Sequence, residues 1–182
     1  LFRNRPESCV HAGPNVLTTN SLTKAYGLDG VRAGWILGPA DIVARAGRIN
    51  DVMTNNSVAA GELMALAAFR HHRAIDRRAH TLLDPNLARV RTFLSREPRL
   101  QAYVPEGGNV LFARLPLRID SDRLAARLRD HYSTLVVPGR FFESPRYIRI
   151  SFGCKPSLLS RGLTNISCAL DDLTSVTPGR RS

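Results

Sequence analysis

Residues 110–115 and 147–152 read as strands, and apolar and polar positions alternate along the second with the period of two of a half-buried strand. In the second stretch Ile148, Ile150 and Phe152 fall on one face, so Arg149 is expected on the other. Residues 101–104 alternate as a partner strand across the turn residues Pro105-Glu106-Gly107-Gly108, and residues 135–137 read as a further strand. Nearer the start, residues 16–19 read as a short buried strand, and residues 33–37 as a second closed by Gly38-Pro39. Helical spacing predicts the intervening elements. A helix begins at Asp41 with Ile42, Ala46, Ile49 and Met53 on one face. Ser57 is expected to cap a buried helix reaching about Arg73, and another runs from about Arg77 to Arg96 with Pro85 as a kink or break. Asp120 or Ser121 caps a helix on which Leu124, Leu128 and Tyr132 share a face. Pro156 opens a last helix with the stripe Leu159, Leu163, Ile166, Leu170 and Leu173, and the polar tail from Ser175 is expected to fray.

The order of elements predicts an α/β chain in two unequal parts. Residues 1–80 read as the end of an α/β domain whose other strands lie elsewhere, and residues 81–182 as a compact α+β unit. The start at Leu1, followed by Phe2-Arg3-Asn4-Arg5-Pro6, reads as the interior of a longer protein cut open, without a signal peptide. No apolar run reaches the roughly 18 residues needed to span a bilayer, and no membrane association is expected.

Composition changes this picture little. The 182 residues carry 26 basic and 15 acidic side chains, a formal net charge of +11. The arginines are spread along the chain without a nucleic-acid-binding motif, so only weak attraction to polyanions is expected and no specific nucleic-acid partner. Cys9, Cys154 and Cys168 form no CxxC pair, and the five histidines have no ligand-spaced acidic or cysteine partners. No metal site is expected, and the cysteine usage suits a reducing, cytoplasmic compartment. Two glycosylation sequons, Asn55-Asn56-Ser57 and Asn165-Ile166-Ser167, are short enough to arise by chance.

One basic residue stands apart. Of the 26 basic side chains only Lys24 and Lys155 are lysines. A primary amine can lose its proton and condense with a carbonyl, which a guanidinium cannot do. Around Lys24 the loop between two predicted strands offers the hydroxyls of Ser21 and Thr23, the guanidinium of Arg32, and Gly27, Gly30 and Gly34. Hydroxyl and guanidinium donors suit a phosphate group, and glycines let the backbone approach a ligand. An amine beside a phosphate cradle suggests a phosphorylated aldehyde held as an imine, a description that pyridoxal phosphate fits.

The run Ser21-Leu22-Thr23-Lys24-Ala25-Tyr26-Gly27-Leu28-Asp29-Gly30-Val31-Arg32-Ala33-Gly34-Trp35 resembles the Schiff-base lysine segment of the class I/II aminotransferases, of pyridoxal phosphate fold type I. Downstream, Val136-Val137-Pro138-Gly139 and Tyr147-Ile148-Arg149-Ile150-Ser151-Phe152-Gly153 resemble the same family's small-domain strand. The resemblance implies that residues 1–80 are the C-terminal part of the cofactor-binding large domain and residues 81–182 the small domain. It implies pyridoxal 5′-phosphate as cofactor, with Lys24 carrying the internal aldimine and Ser21 and Arg32 binding the phosphate. Arg149 would grip the substrate α-carboxylate. Substrates would be an amino acid and a 2-oxo acid, and the assembly a homodimer. Asn109, after the glycine turn, either faces the site or is a plain turn residue, while Trp35 and Tyr26 are expected to pack the core beside the loop. Relatives carry the Asp that pairs with the pyridine nitrogen, the Tyr and Asn at the cofactor hydroxyl and the ring-stacking aromatic upstream of this lysine, so the chain alone is expected to be an incomplete enzyme. Two other readings remain open at this point: a pyridoxal-phosphate lyase or decarboxylase on the same loop, or a truncated remnant serving as an interaction module.

Overall fold

The computed structural model describes residues 7–24, 26–54 and 58–175, which form two compact units, Leu1–His80 and Thr81–Ser182. The expectations for Ser57 as a cap, for the first sequon and for the tail beyond Ser175 fall outside the described residues.

In the first unit β1 (Thr18–Ser21) pairs antiparallel with β2 (Gly34–Leu37), Ser21 standing opposite Gly34. Strand β1 lies two residues later than residues 16–19 and is not buried: Thr19 and Asn20 are exposed. Helix α1 (Ala40–Thr54) forms where its apolar spacing predicts, yet it buries no side chain within the unit, and Ile49 and Met53 are exposed. Helix α2 (Ala59–Arg70) is also mostly exposed, contrary to the expectation of a buried helix. Only Ala65 and Ala68 are buried there, and Leu63 and Phe69 remain open. Those two alanines and Leu22 form the small core of the unit, closed in by Tyr26, Leu28, Val31, Ala33, Trp35 and Ile75.

Helix α3 (His72–Arg96) starts in the first unit's residues and ends in the second's. The helix break falls at His71, not between Arg73 and Arg77, and α3 continues through Pro85. A proline inside a helix forfeits one backbone hydrogen bond and costs about 3 kcal/mol. Packing beside it offsets that cost. Leu83 and Val90 are buried, and the fully buried Asn86 donates its side-chain amide to the carbonyls of Phe152 and Cys154, both at 2.7 Å.

The second unit is a four-stranded antiparallel sheet of order β3-β4-β6-β5. Its strands are β3 (Gln101–Ala102), β4 (Val110–Arg114), β5 (Val137–Pro138) and β6 (Tyr147–Ser151). The period of two governs both central strands: Leu111 and Ala113 on β4, and Ile148 and Ile150 on β6, are buried on one face. The buried layer continues into α4 (Ser121–Tyr132), through Leu124 and Leu128, and α5 (Pro156–Ser175), through Leu159, Leu163, Ile166 and Leu170. Asp120 caps α4, its carboxylate accepting from the amides of Asp122 and Arg123.

A polar clamp ties the end of α3 to α5. Arg99 donates to both oxygens of Glu97 at 2.6 and 2.7 Å and to Asp171 at 2.7 Å. The Ser167 hydroxyl adds a 2.6 Å bond to Glu97, whose carboxylate is nearly buried. The Arg99 guanidinium therefore holds the Glu97 carboxyl below its usual range, against the opposing effect of burial. A carboxyl depressed in the folded state stabilises the fold above its unfolded value of about 4.3, and that contribution fades as pH falls through the lower folded value. Glu97→Ala is expected to cost about 2 kcal/mol in urea unfolding at neutral pH. The difference from the parent protein should shrink as pH falls below the unfolded carboxyl value of about 4.3 and the clamp takes up its proton.

Candidate functional site: a lysine loop and an arginine strand face

The candidate residues lie in both units, and each unit is self-consistent. In the first, the loop joining β1 to β2 is closed at its base by a 3.0 Å bond from the Leu22 amide to the Ala33 carbonyl. Leu22 also accepts from the Leu28 amide at 3.0 Å, so its backbone is bonded on both sides while its side chain is buried. With Leu22 turned inward, its neighbours Ser21 and Thr23 are half-buried and Lys24 is exposed. The Lys24 carbonyl accepts from the Gly27 amide at 3.3 Å, and Gly27 has a φ of 67°, a left-handed conformation that glycine adopts at little cost. Tyr26 and Trp35 pack on the core beside the loop, and Trp35 meets Phe69 edge-on at 5.3 Å.

The far side of the loop is a single 3₁₀ turn, Asp29–Val31, that ends at Arg32 in the left-handed region (φ 54°). That conformation is uncommon for a side-chain-bearing residue and marks a constrained position. The Arg32 guanidinium is exposed and donates to the Asp29 carbonyl at 3.4 Å. Helix α2 presses on this turn. A Cβ on Gly61 would stand 2.8 Å from the Val31 carbonyl oxygen, so only glycine permits the approach. The sequence alone offers no signal for Gly61, because nothing local distinguishes it from any helical glycine.

The donor set fits a phosphorylated aldehyde. Ser21 accepts from the Thr23 amide at 3.4 Å, leaving its hydroxyl hydrogen available. Among the described residues no carboxylate pairs with Lys24 or Arg32, so a hydroxyl, an amine and a guanidinium border one loop without an internal counter-ion.

In the second unit Arg149 sits on β6 directly opposite Phe112 of β4 and Val137 of β5, on the face turned away from the buried layer. The exposure alternates as the sequence predicts: Ile148 and Ile150 are buried and Arg149 is open. Phe112 stacks on Tyr147 at 4.8 Å and meets Phe142 edge-on at 5.6 Å. These rings, with Arg114, Tyr103 and Arg149, border an open groove of about 810 Å³. Among the described residues Arg149 has no acidic partner; its guanidinium carbon lies 5.2 Å from the centre of the Phe142 ring. The aromatic neighbours were not singled out by the sequence reading, although two adjacent phenylalanines after Pro138-Gly139 in an otherwise polar turn were a usable hint. Asn109 acts through its backbone. Its carbonyl accepts from the Phe152 amide at 2.9 Å and from the Ser151 hydroxyl at 3.4 Å, fixing the end of β6.

The family model for aminotransferase class I and II matches residues 5–166. Capreomycidine synthase of Streptomyces vinaceus is 36% identical over 91% of the chain and 42% of its own length. An aspartate aminotransferase of Streptomyces avermitilis is 27% identical over 94% of the chain and 44% of its own length. Among solved structures, a PLP-dependent aminotransferase from Streptococcus suis superposes with a TM-score of 0.81 at 26% identity, covering 86% of this chain and 42% of that one. The chain thus spans less than half the length of these relatives.

Proposed function

Because the chain belongs to the class I and II aminotransferase family, we propose that the protein it forms moves an amino group between an amino acid and a 2-oxo acid, with Lys24 as its catalytic residue. The fold is that of the fold type I pyridoxal-phosphate-dependent aminotransferases, in a mixed α/β chain that spans part of it. Membership implies pyridoxal 5′-phosphate as the cofactor. The observation that carries the reading is the Lys24 loop: an exposed lysine in an arginine-dominated chain, on a bonded turn whose sequence also carries Ser21 and Arg32.

Pyridoxal phosphate, when bound, supplies an aldehyde that condenses with amines and a ring that draws electrons from the substrate α-carbon. Lys24 would hold it through Nζ, and the same amine would carry the proton lost from the substrate α-carbon. Ser21 Oγ and the Arg32 guanidinium hold the phosphate, a task that suits a hydroxyl and a fork of N–H donors. Arg149 takes the substrate α-carboxylate as a bidentate partner and so sets the orientation of the α-carbon. Residues 1–80 belong in this reading to the large domain, and residues 81–182 to the small one. A homodimer and a cytoplasmic setting complete it; the free Cys9, Cys154 and Cys168 suit a reducing compartment.

The relative named a synthase favours a second reading, in which the same loop supports a lyase, decarboxylase or other pyridoxal-phosphate outcome. Product analysis separates the two. The complete protein, loaded with cofactor and given amino acids with a 2-oxo acid acceptor, should release a new 2-oxo acid in step with a new amino acid. Carbon dioxide, or a product made without any acceptor, would contradict transamination.

A further inference from the structure

We infer that Phe142 is a positioning residue that fixes the Arg149 guanidinium before a carboxylate arrives; this rests on the reading of Arg149 as the carboxylate grip. Arg149 extends from an open strand face with no acidic partner among the described residues, and an arginine so placed has considerable rotamer freedom to lose on binding. One contact restrains it: the guanidinium carbon lies 5.2 Å from the Phe142 ring centre, within the range of a cation–π attraction.

Phe142 is itself held in place. It closes the 3₁₀ turn Gly139–Phe142, after which Glu143 takes a left-handed conformation at φ 56°. The turn is bonded by Ser144 N to the Gly139 carbonyl at 3.0 Å and by Glu143 N to the Arg140 carbonyl at 3.2 Å. The ring then meets Phe112 edge-on, and Phe112 stacks on Tyr147 at 12° between planes. Three rings in series thus run across the open face to the guanidinium. Phe142 contributes little to the buried core, for it is 43% exposed. A large apolar side chain left half in water, yet fixed by a tight turn and a neighbouring ring, is well placed to act through the cation beside it. Restraining the guanidinium in advance lowers the ordering cost of binding and leaves the chemistry of the reacting carbon untouched.

The test uses the complete, cofactor-loaded protein with Phe142→Leu, Phe142→Tyr, Arg149→Gln and the double variant F142L/R149Q. KM for the amino acid and the inhibition constant of propionate, an unreactive carboxylate probe, are read together with kcat. Phe142→Leu is expected to raise both constants about fivefold, the scale of one exposed cation–π contact, with kcat within about twofold. The cofactor absorbance should not change. Phe142→Tyr, which presents the same ring face, should restore the parent values, and Phe142→Leu should add nothing once Arg149 is replaced. If Phe142→Leu leaves KM and the propionate constant unchanged while Arg149→Gln raises them, Arg149 grips without the ring and the inference is overturned. If Arg149→Gln itself changes neither, the carboxylate reading fails and the inference falls with it. Phe142→Met, whose flexible unbranched side chain adapts better to the vacated space, replaces the leucine variant should that one lose its fold.

Discussion

With Lys24 in the proposed role, Lys24→Ala is expected to reduce turnover of the complete protein by at least about a thousandfold, since it would remove both the covalent anchor and the proton carrier. Lys24→Arg should fare no better, because a guanidinium keeps its charge and is a poor nucleophile. The loop itself should survive either change. Its stability rests on Leu22, whose side chain is buried and whose backbone is bonded to Ala33 and Leu28, while Lys24 is exposed and has no ion-pair partner among the described residues. Unfolding curves close to those of the parent, with activity gone, would separate chemistry from folding. Lys155 provides the matching control. It is exposed, and its carbonyl accepts the Leu159 amide at the start of α5, a bond that any residue there can make. Lys155→Ala is therefore expected to keep parental activity. Substantial turnover by Lys24→Ala would remove the lysine from the mechanism.

The largest expected loss of stability from a small substitution is at Gly139. It is buried in the turn that follows β5, and a Cβ added there would overlap the carbonyl oxygens of Ser144 and Tyr147. Both obstacles are backbone atoms in a bonded turn, so neither can swing aside as the end of a flexible side chain would. The glycine is required for space, since its φ is not in the left-handed region. Gly139→Ala is expected to cost about 3 kcal/mol, at the upper end of overpacking penalties. A matched shift in the denaturant midpoint, with weakened carboxylate binding, is the predicted signature. The binding effect follows from register, because Pro138, next to Gly139, pairs with Ile148, and Val137 pairs with Arg149. An unchanged midpoint would show that the turn relaxes where its backbone bonds imply it cannot.

How legible these features were in the sequence depended on how local their causes are. The buried face of β6 follows from strict alternation, and the α5 stripe from helical spacing, so both were readable. Asp120 as a cap is likewise a local effect. The break at His71 was not readable, because His71-His72 is no recognised stop signal and Pro85, which is one, sits in a helix held by Asn86, Leu83 and Val90. Burial misled in the first unit. The apolar spacing of α1 and α2 predicts that these helices pack against something, yet of their residues only Ala65 and Ala68 are buried. The Lys24 loop stood out in the sequence because Ser21, Thr23, Lys24 and Arg32 fall within one short stretch of the chain. The neighbours of Arg149 were not, because Phe112, Phe142 and Tyr147 meet only through strand pairing and a turn.

The central claim, that Lys24 is the residue that attaches the cofactor, has a direct test, with Lys155 as the other lysine of this chain. The complete protein is incubated with pyridoxal phosphate, reduced with borohydride, digested, and mapped by mass spectrometry. The predicted result is one phosphopyridoxyl group on the peptide that contains Lys24, absent from the Lys24→Ala variant. A modification on Lys155, or none on the Lys24 peptide at full cofactor occupancy, would contradict the account.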